Sequence, residues 1–385
     1  MSFDLRSLAV ATAGFSTFVN LYSPQALLPE LAHEFGVGAG EISSLMTAGT
    51  AAIALTAPFT GALADVAGRK RLITAAMFAI AAPTLIMTLA GSVPQLTFWR
   101  FVQGLLLPPI FTVTVAYIGD EWPPAEVPRI AGLYVSGSSV GGFCGRFIPG
   151  VLADLIGWRV AFGIVALLTL AAAVLVALTL PRERRFVASG GLAESGRQML
   201  RHFRNPRLIA TYAIGFGVLF NFIATFTYVT FHLAAAPYRF SPTLLGALFL
   251  TYLVSSPLLP WAGRAIALFG RRGFVLGVIA VWIAGALLLL APPVSLIIAG
   301  LTLCAVCGML CQTVSTGYVT VTAKEGRSSA VGLYASIFYI GGSAGALLTG
   351  FAWSVAGWGG CVATIVAMQA IMAVIVALTW DRDAG

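Results

Sequence analysis

Residues 132–158 read GLYVSGSSVGGFCGRFIPGVLADLIGW, and residues 332–358 read GLYASIFYIGGSAGALLTGFAWSVAGW. The two stretches align without a gap at an offset of 200 residues. A second match lies at an offset of 202, where Gly61 and the turn at 68–70 (GRK) correspond to Gly263 and the turn at 270–272 (GRR). Two separate matches at nearly the same offset predict that the chain contains two copies of a single structural unit. Residues shared by the longer pair include Gly132, Leu133, Tyr134, Gly141, Gly142, Gly145, Gly150, Gly157 and Trp158 of the first copy.

The composition of the chain indicates a lipid environment. Of its 385 residues 59% are hydrophobic and only 9% are charged, whereas soluble domains carry about 25% charged residues. A membrane-spanning helix needs about 20 mostly apolar residues. The sequence therefore predicts an all-α membrane protein with twelve transmembrane helices. The predicted spans are 6–28, 43–64, 72–91, 96–119, 129–153, 160–180, 208–231, 242–262, 273–291, 294–320, 329–352 and 359–380.

Charged residues orient these spans. When both termini are placed in the cytoplasm, 18 of the 22 Lys and Arg residues fall on the cytoplasmic side. Cytoplasmic loops of membrane proteins carry such an excess of basic residues. The same asymmetry accounts for the net charge of +8 without a nucleic-acid partner. We therefore expect a multi-pass protein of the bacterial inner (plasma) membrane, with lipid as its surroundings.

Residues 181–207 form the long polar segment near the middle of the chain. This segment predicts a cytoplasmic linker between an N-terminal six-helix half at 1–180 and a C-terminal half at 208–385. Because six spans separate the copies, the halves have the same orientation and form a parallel repeat with a pseudo-twofold axis. Residues 192–203 fit either an amphipathic helix on the inner leaflet or a flexible basic linker.

Residues 61–71, which read GALADVAGRKR, carry the most specific pattern. This stretch resembles the signature between helices 2 and 3 of the major facilitator superfamily (MFS), a family of transporters. Gly61 is expected to allow close helix contact, and Gly68 to permit a tight turn. The resemblance implies a charge network at a cytoplasmic gate, formed by Asp65 and Arg69 with Asp120 as a partner. Lys70 and Arg71 are expected to contact lipid phosphates, and simple topology anchoring is the alternative role for the whole group.

The predicted fourth helix contains Arg100 and Gln103, which resemble the family's R-x-x-Q-G motif with Gly104. An arginine in a transmembrane segment faces the protein interior or a wet cavity. The resemblance implies a role in proton coupling or substrate contact. The alternative is an arginine near the helix end that extends to the interface.

The predicted fifth helix resembles the antiporter signature of the family but departs from it at two positions. Gly142 replaces a proline, and Arg146 replaces the last glycine. Gly137, Gly141 and Gly145 are four residues apart and predict close packing against another helix. Arg146 has no acidic neighbour on its own helix, so we expect it to bind an anionic group or to line a cavity.

Other polar residues belong to helices that line the central cavity in this family. Any of them is equally expected to bind substrate or to form interhelical hydrogen bonds. These substrate candidates are Asn20, Tyr22, Gln25, Asn221 and Gln312.

These observations predict a secondary active transporter that works by alternating access as a monomer. Family likeness favours proton-coupled efflux of drugs, sugars or metabolites, although no Asp or Glu lies in the middle of a predicted span. The alternative from the same fold is an importer or facilitator of a small organic anion, with Arg100 and Arg146 as a binding pair. A membrane receptor or enzyme is the alternative from another class.

Several chemistries are not supported by the sequence, and no cofactor or metal is expected. Cys304, Cys307 and Cys311 lie in an apolar helix without histidine or acid nearby, so they predict packing rather than a metal site. A phosphate-binding loop requires Gly-Lys followed by Ser or Thr. Lys70 follows Arg69 and Lys324 follows Ala323, so neither fits that pattern.

Overall fold

A computed structural model of the chain describes residues 5–183, 201–255, 257–323 and 327–380. Within these ranges the regular structure is α-helix and 3-10 helix, without strands. Most of the proposed amphipathic stretch at 192–203 lies outside the described residues. The helices of the first half are α1 (Leu5–Tyr22), α2 (Leu28–Phe35), α3 (Ala39–Ile42), α4 (Ser44–Thr56), α5 (Thr60–Ala67), α6 (Arg69–Ile86), α7 (Val93–Leu106), α8 (Pro108–Glu121), α9 (Val127–Ile156) and α10 (Trp158–Thr179).

The second half continues after the linker with longer helices. Its α-helices are α11 (Pro206–Ala234), α12 (Pro242–Ala247), α13 (Ala262–Leu288), α14 (Val294–Thr322) and α15 (Arg327–Thr379). A 3-10 segment, Leu248–Ser255, follows α12 directly. The chain turns inside α13 at Gly270 and inside α15 at Ala356 and Gly357, so each of these elements holds parts of two helices.

In the described part of the chain, nine stretches are long and apolar enough to cross a membrane. One of them contains the turn at 356–357 and therefore two crossings. These stretches account for ten crossings, so two more are needed to make twelve. The broken first helix at 5–35 and the interrupted segment at 242–269 are consistent with these two crossings. The fold is thus an all-α membrane fold, as predicted from the repeat and the composition.

Several of the spans that the sequence predicted as continuous are interrupted at or near proline residues. The predicted span 6–28 breaks between α1 and α2 at Pro24, and the span 96–119 breaks before Pro108. The span 242–262 runs largely as 3-10 helix. Proline lacks the backbone N–H that continues an α-helix, and neighbouring groups can satisfy the freed backbone atoms in a membrane protein.

The two halves repeat one packing plan. In each half the first helix packs on the fifth, α1 on α9 and α11 on the part of α15 before its turn. A Cβ atom at Gly141 would lie 2.7 Å from the Cα of Phe15. At Gly341 the corresponding distance is 2.7 Å to the Cα of Phe216. The sequence repeat therefore records glycines that let these helix pairs approach closely.

The bundle has two ends that we name by their turns. The linker end carries the turn at Gly68 and residues 181–183, and the distal end carries the turns at Gly36, Gly157 and Gly357. Extensive contacts between the halves join α9 with α12, α3 and α4 with α15, and α2 with α11. These elements meet near the distal end, so the halves close on each other there.

Candidate functional site

Gly68 forms the turn between α5 and α6 at the linker end, with a positive φ of 82° that favours glycine. Just beyond it, the carboxylate of Glu183 accepts hydrogen bonds from the backbone N–H of Arg69 at 3.0 Å and of Lys70 at 3.3 Å. The first N–H groups of a helix lack intrahelical partners, and a negative charge there is stabilising. Glu183 thus caps α6 from the start of the linker, a role that sequence reasoning missed.

Arg69 connects two helices at this end. Its Nη2 atom lies 2.5 Å from the Oδ2 atom of Asp120, at the end of α8. Asp65 is partly buried on α5, Lys70 is partly buried and Arg71 is exposed. The arrangement joins the motif turn to α8 within the first half.

Gly61 differs from the expectation. Among the described residues, no atom beyond its chain neighbours and the backbone of its own helix lies within 4 Å of the position that a Cβ atom at Gly61 would take. The close helix contact expected at Gly61 is therefore absent in this conformation, because α5 presents this position to open space.

A buried hydrogen-bond network lies inside the first half, around Asn20. Its Nδ2 atom donates to Thr169 Oγ1 at 2.8 Å, and its Oδ1 atom accepts from Thr84 at 3.0 Å and from Gln103 Nε2 at 3.1 Å. Gln103 Nε2 also donates to Thr84 Oγ1 at 2.7 Å. The network joins α1, α6, α7 and α10, so Asn20 and Gln103 bind other helices of their own half.

Arg100 belongs to the same network. Its side chain is 1% exposed, and it donates to the carbonyl oxygens of Asn20 at 2.9 Å and Leu21 at 2.8 Å, and to Gln103 Oε1. These carbonyls end α1, where the last C=O groups have no intrahelical partner and a positive charge is favourable. Arg100 therefore caps the broken first helix and does not extend to the membrane interface.

The substrate candidates of the second half lie apart from these groups. Asn221 is fully buried and donates to the carbonyl of Gly217 at 2.7 Å, while its Oδ1 atom has no partner among the described residues. Gln369 is also fully buried, and both of its polar atoms lack partners there. Gln312 is half-buried on α14. The second half thus has buried amides but no described counterpart of the first half's network.

Arg146 lies on α9 at the boundary between the halves. It is 3% exposed. Its Nε atom donates to Gln25 Oε1 at 2.7 Å, and its Nη1 atom donates to the carbonyl of Gly142 at 2.7 Å. Aromatic rings surround the guanidinium, whose central carbon lies 3.6, 4.1 and 5.2 Å from the ring centroids of Tyr22, Phe249 and Tyr252 respectively.

Gln25 extends this cluster into the second half. Its Nε2 atom donates to Thr227 Oγ1 of α11 at 3.0 Å. Tyr22 comes from the first half, whereas Phe249 and Tyr252 come from the second. Arg146 and Gln25 therefore contact both halves, unlike Arg100, which contacts only the first.

Toward the distal end, α9 continues to pack against α12. The carboxylate of Asp154 accepts a hydrogen bond from the backbone N–H of Thr243 at 2.9 Å. A Cβ atom at Gly150 would lie 3.0 Å from the carbonyl carbon of Pro242 and closer still to its oxygen. A Cβ atom at Gly246 would lie 2.8 Å from the carbonyl oxygen of Arg146. We call this α9–α12 contact the first distal seam.

A second distal seam, in which α3 and α4 contact α15, is related to the first by the sequence repeat. A Cβ atom at Gly350 would lie 3.0 Å from the Cα of Gly40. Farther along α15, Ser343 and Thr50 of α4 share a hydrogen bond of 2.8 Å. Gly150 and Gly350 are 200 residues apart, as are the other matched positions. The sequence repeat therefore places a matched glycine, Gly150 or Gly350, in each distal seam.

The distal rim carries an ion pair outside the predicted spans. Glu34 contacts both the indole N–H of Trp158 and the guanidinium of Arg159. Partial burial raises the pKa of Glu34, but these two donors and the Arg159 charge outweigh it and hold that pKa below its usual value. The rim pair joins α2 to α10 within the first half.

The described residues contain no group of three or more His, Cys, Asp or Glu that is suitable for a metal ion. All five cysteines, Cys144, Cys304, Cys307, Cys311 and Cys361, are free thiols. The geometry places hydrogen-bond donors, aromatic rings and one buried cation between two helical halves.

Comparison with known proteins agrees with this architecture. The inner membrane transport protein YnfM of Escherichia coli (strain K12) is 32% identical over 377 residues, covering 98% of this chain and 90% of that protein. The chloramphenicol resistance protein of Streptomyces lividans is 29% identical over 276 residues, covering 71% of this chain and 64% of that protein. A solved bacterial homolog to the human lysosomal transporter Spinster, in an inward-facing and occupied conformation, superposes with a TM-score of 0.74 at 17% identity, covering 96% of this chain and 94% of that one.

Two parallel helical halves that meet around a buried polar centre define a polytopic membrane transporter. The sequence profile of the Major Facilitator Superfamily matches residues 10–250. The chain belongs to that superfamily, whose members carry small molecules across membranes and are not enzymes. The resemblance drawn from residues 61–71 is thereby confirmed.

Proposed function

We propose that this protein is a secondary active transporter that exports a small molecule by alternating access, in exchange for protons. The observation that carries the proposal is the pair of distal seams. Each seam consists of a glycine contact and a few single hydrogen bonds between halves that are otherwise separately packed. Such contacts can separate and re-form as the halves rock.

The strength of these contacts suits reversible opening. Hydrogen bonds between the halves join Thr227 to Gln25, Thr243 to Asp154, and Ser343 to Thr50 and to the carbonyl of Thr47. Each contributes about 0.5–1.5 kcal/mol, or somewhat more where a charge takes part. Separating the halves at the distal end therefore breaks only a few hydrogen bonds. Hydrogen bonds to water then compensate part of the lost free energy.

The orientation follows from the charge asymmetry of the sequence. The linker end carries most of the Lys and Arg residues and faces the cytoplasm in this proposal. Both termini are then cytoplasmic, the distal seams face the periplasm of a bacterial inner membrane, and the protein acts as a monomer. Closure of the distal seams corresponds to a state that exchanges substrate with the cytoplasm.

Export is favoured by a relative that is a chloramphenicol resistance protein. For proton coupling, Asp154 is the acid whose carboxylate bonds directly to the other half. Protonation weakens a carboxylate as a hydrogen-bond acceptor, so a proton from the periplasm loosens the first distal seam. Asp65, Arg69 and Asp120 at the linker end form the corresponding cytoplasmic gate.

The test is flux in proteoliposomes that contain the purified full chain. A ligand-stabilisation screen first selects compounds that raise the melting temperature. Each selected compound should then dissipate an imposed pH gradient, read with an entrapped pH-sensitive dye, and Asp154→Asn should abolish this response. Flux that occurs without proton movement would refute the coupling and favour the facilitator of a small organic anion.

A further inference from the structure

Arg146 holds its charge in a buried position without an acidic partner. The side chain is 3% exposed, and none of the carboxylates among the described residues forms a salt bridge with it. Asp154 lies two turns along the same helix, but its carboxylate bonds to the N–H of Thr243. Burial of an uncompensated charge is costly, so the guanidinium requires another source of stabilisation.

The hydrogen-bonding capacity of Arg146 is only partly used. A guanidinium has five N–H donors in a planar fork. The Nε donor binds Gln25 and one Nη1 donor binds Gly142. The side chain of Tyr22 also forms a hydrogen bond with the guanidinium, so up to two donors remain for a ligand.

Aromatic rings cover the faces of the guanidinium. Tyr22 and Phe249 lie within 4.1 Å of its central carbon. Phe249 is fully buried, whereas Tyr22 and Tyr252 keep part of their surface exposed. A cation–π contact uses the face of the guanidinium, and this leaves the edge donors for an acceptor placed beside the two tyrosines.

We propose that Arg146 binds the anionic group of the transported substrate, and that the substrate is a small organic anion with a flat apolar body. The unused N–H donors of the guanidinium match a carboxylate, which accepts two parallel N–H bonds, and the partly exposed tyrosine rings match a flat apolar group. This inference rests on the proposed transport function and names its substrate class.

Arg100 does not take part in this site. Its Nη1 and Nη2 atoms donate to the carbonyls of Asn20 and Leu21 and to Gln103, which all belong to the first half. The binding pair of Arg100 and Arg146 predicted from the sequence is therefore replaced by one anion-binding arginine. Arg146 also contacts residues of both halves, so an anion bound to it sits where the halves meet.

The experiment measures binding by equilibrium dialysis with the purified full chain, using 2-naphthoate and its neutral analogue 2-naphthamide. The wild-type protein should bind the naphthoate about tenfold more tightly, as one or two charge-assisted hydrogen bonds imply. Arg146→Gln should bind both compounds equally. Arg146→Lys, which keeps the charge but loses the fork, should retain part of the preference.

The matched control is Arg264→Gln, which removes an exposed arginine stacked on Trp261. It should keep the wild-type preference. Saturable binding that does not distinguish the two compounds, absence of saturable naphthoate binding, or a preference that survives in Arg146→Gln would each overturn the proposal. If Arg146→Gln does not elute as a folded protein, Arg146→Lys replaces it in the test. An undiminished preference of Arg146→Lys for naphthoate over naphthamide would then overturn the proposal. Dialysis measures binding without a proton gradient. A failure of proton coupling in the liposome assay would therefore not affect the binding result, and the two proposals can fail separately.

Discussion

Replacing Gly150 with alanine should open the distal end of the molecule. In the structure, the new Cβ atom would lie 3.0 Å from the carbonyl carbon of Pro242 and closer to its oxygen. Both of these atoms are backbone, so the clash is relieved only when α9 and α12 move apart. When the halves are apart at this end, the added methyl group meets no such obstacle.

The magnitude follows from the cost of overpacking. An extra methyl group in a tightly packed contact costs about 1–3 kcal/mol. The gain in helix propensity from glycine to alanine, about 1 kcal/mol, applies to both conformations and cancels. The equilibrium between the closed and open distal end should therefore shift toward the open form by about 5- to 150-fold.

Spin labels can measure this shift by pulsed electron resonance. Cysteines at Gly91 and Pro292 place labels on exposed turns at the distal end of opposite halves, in a background without the five native thiols. Gly150→Ala should add a population with a longer distance between the labels. The control is Gly132→Ala on the same helix, where no atom lies within 4 Å of the new Cβ. Equal distance distributions in Gly150→Ala and Gly132→Ala would refute the steric reasoning.

Three further substitutions test the contacts on which the site depends. Asp154→Asn should weaken the bond to Thr243 by about 1 kcal/mol and lengthen the same label distance in a smaller fraction of molecules, and an unchanged distribution would contradict a role in the seam. Arg100→Gln should lower the free energy of unfolding by at least about 2 kcal/mol, because buried carbonyls lose their donor, as measured by denaturant titration; unchanged stability would argue against the cap on α1. Glu183→Gln should remove up to about 1 kcal/mol of charge stabilisation at the start of α6. Hydrogen exchange of the peptide containing Arg69 should then accelerate several-fold, and no acceleration would show that this cap is unimportant.

The fold was predictable from the sequence because its signals are spread over the whole chain. The apolar composition and the basic residues reflect requirements that lipid imposes on many positions. The 200-residue repeat presents the same structural unit twice. The glycines of the repeat were also informative. Gly141 and Gly341 face the first helix of their halves, and Gly150 and Gly350 face the opposite half.

The site was less predictable because residue type does not reveal a side chain's partners. Arg100 and Arg146 appeared to be equivalent intramembrane charges, yet Arg100 caps helix carbonyls of the first half and Arg146 contacts residues of both halves. The difference depends on the break of the first helix at Pro24, which brings the end of α1 to Arg100. Glu183 stands in a polar linker with no recognisable pattern, so its contact with α6 had no local signal.

The two distal seams share a backbone plan but differ in chemistry. Arg146 and Asp154 of the first seam correspond, 200 residues on, to Ala346 and Ser354 of the second. The two seams therefore share a backbone plan, while an arginine and an aspartate at one correspond to an alanine and a serine at the other. In the proposed transport cycle a proton therefore acts at Asp154 of the first seam, and Ser354 at the matched position of the second seam offers no carboxylate.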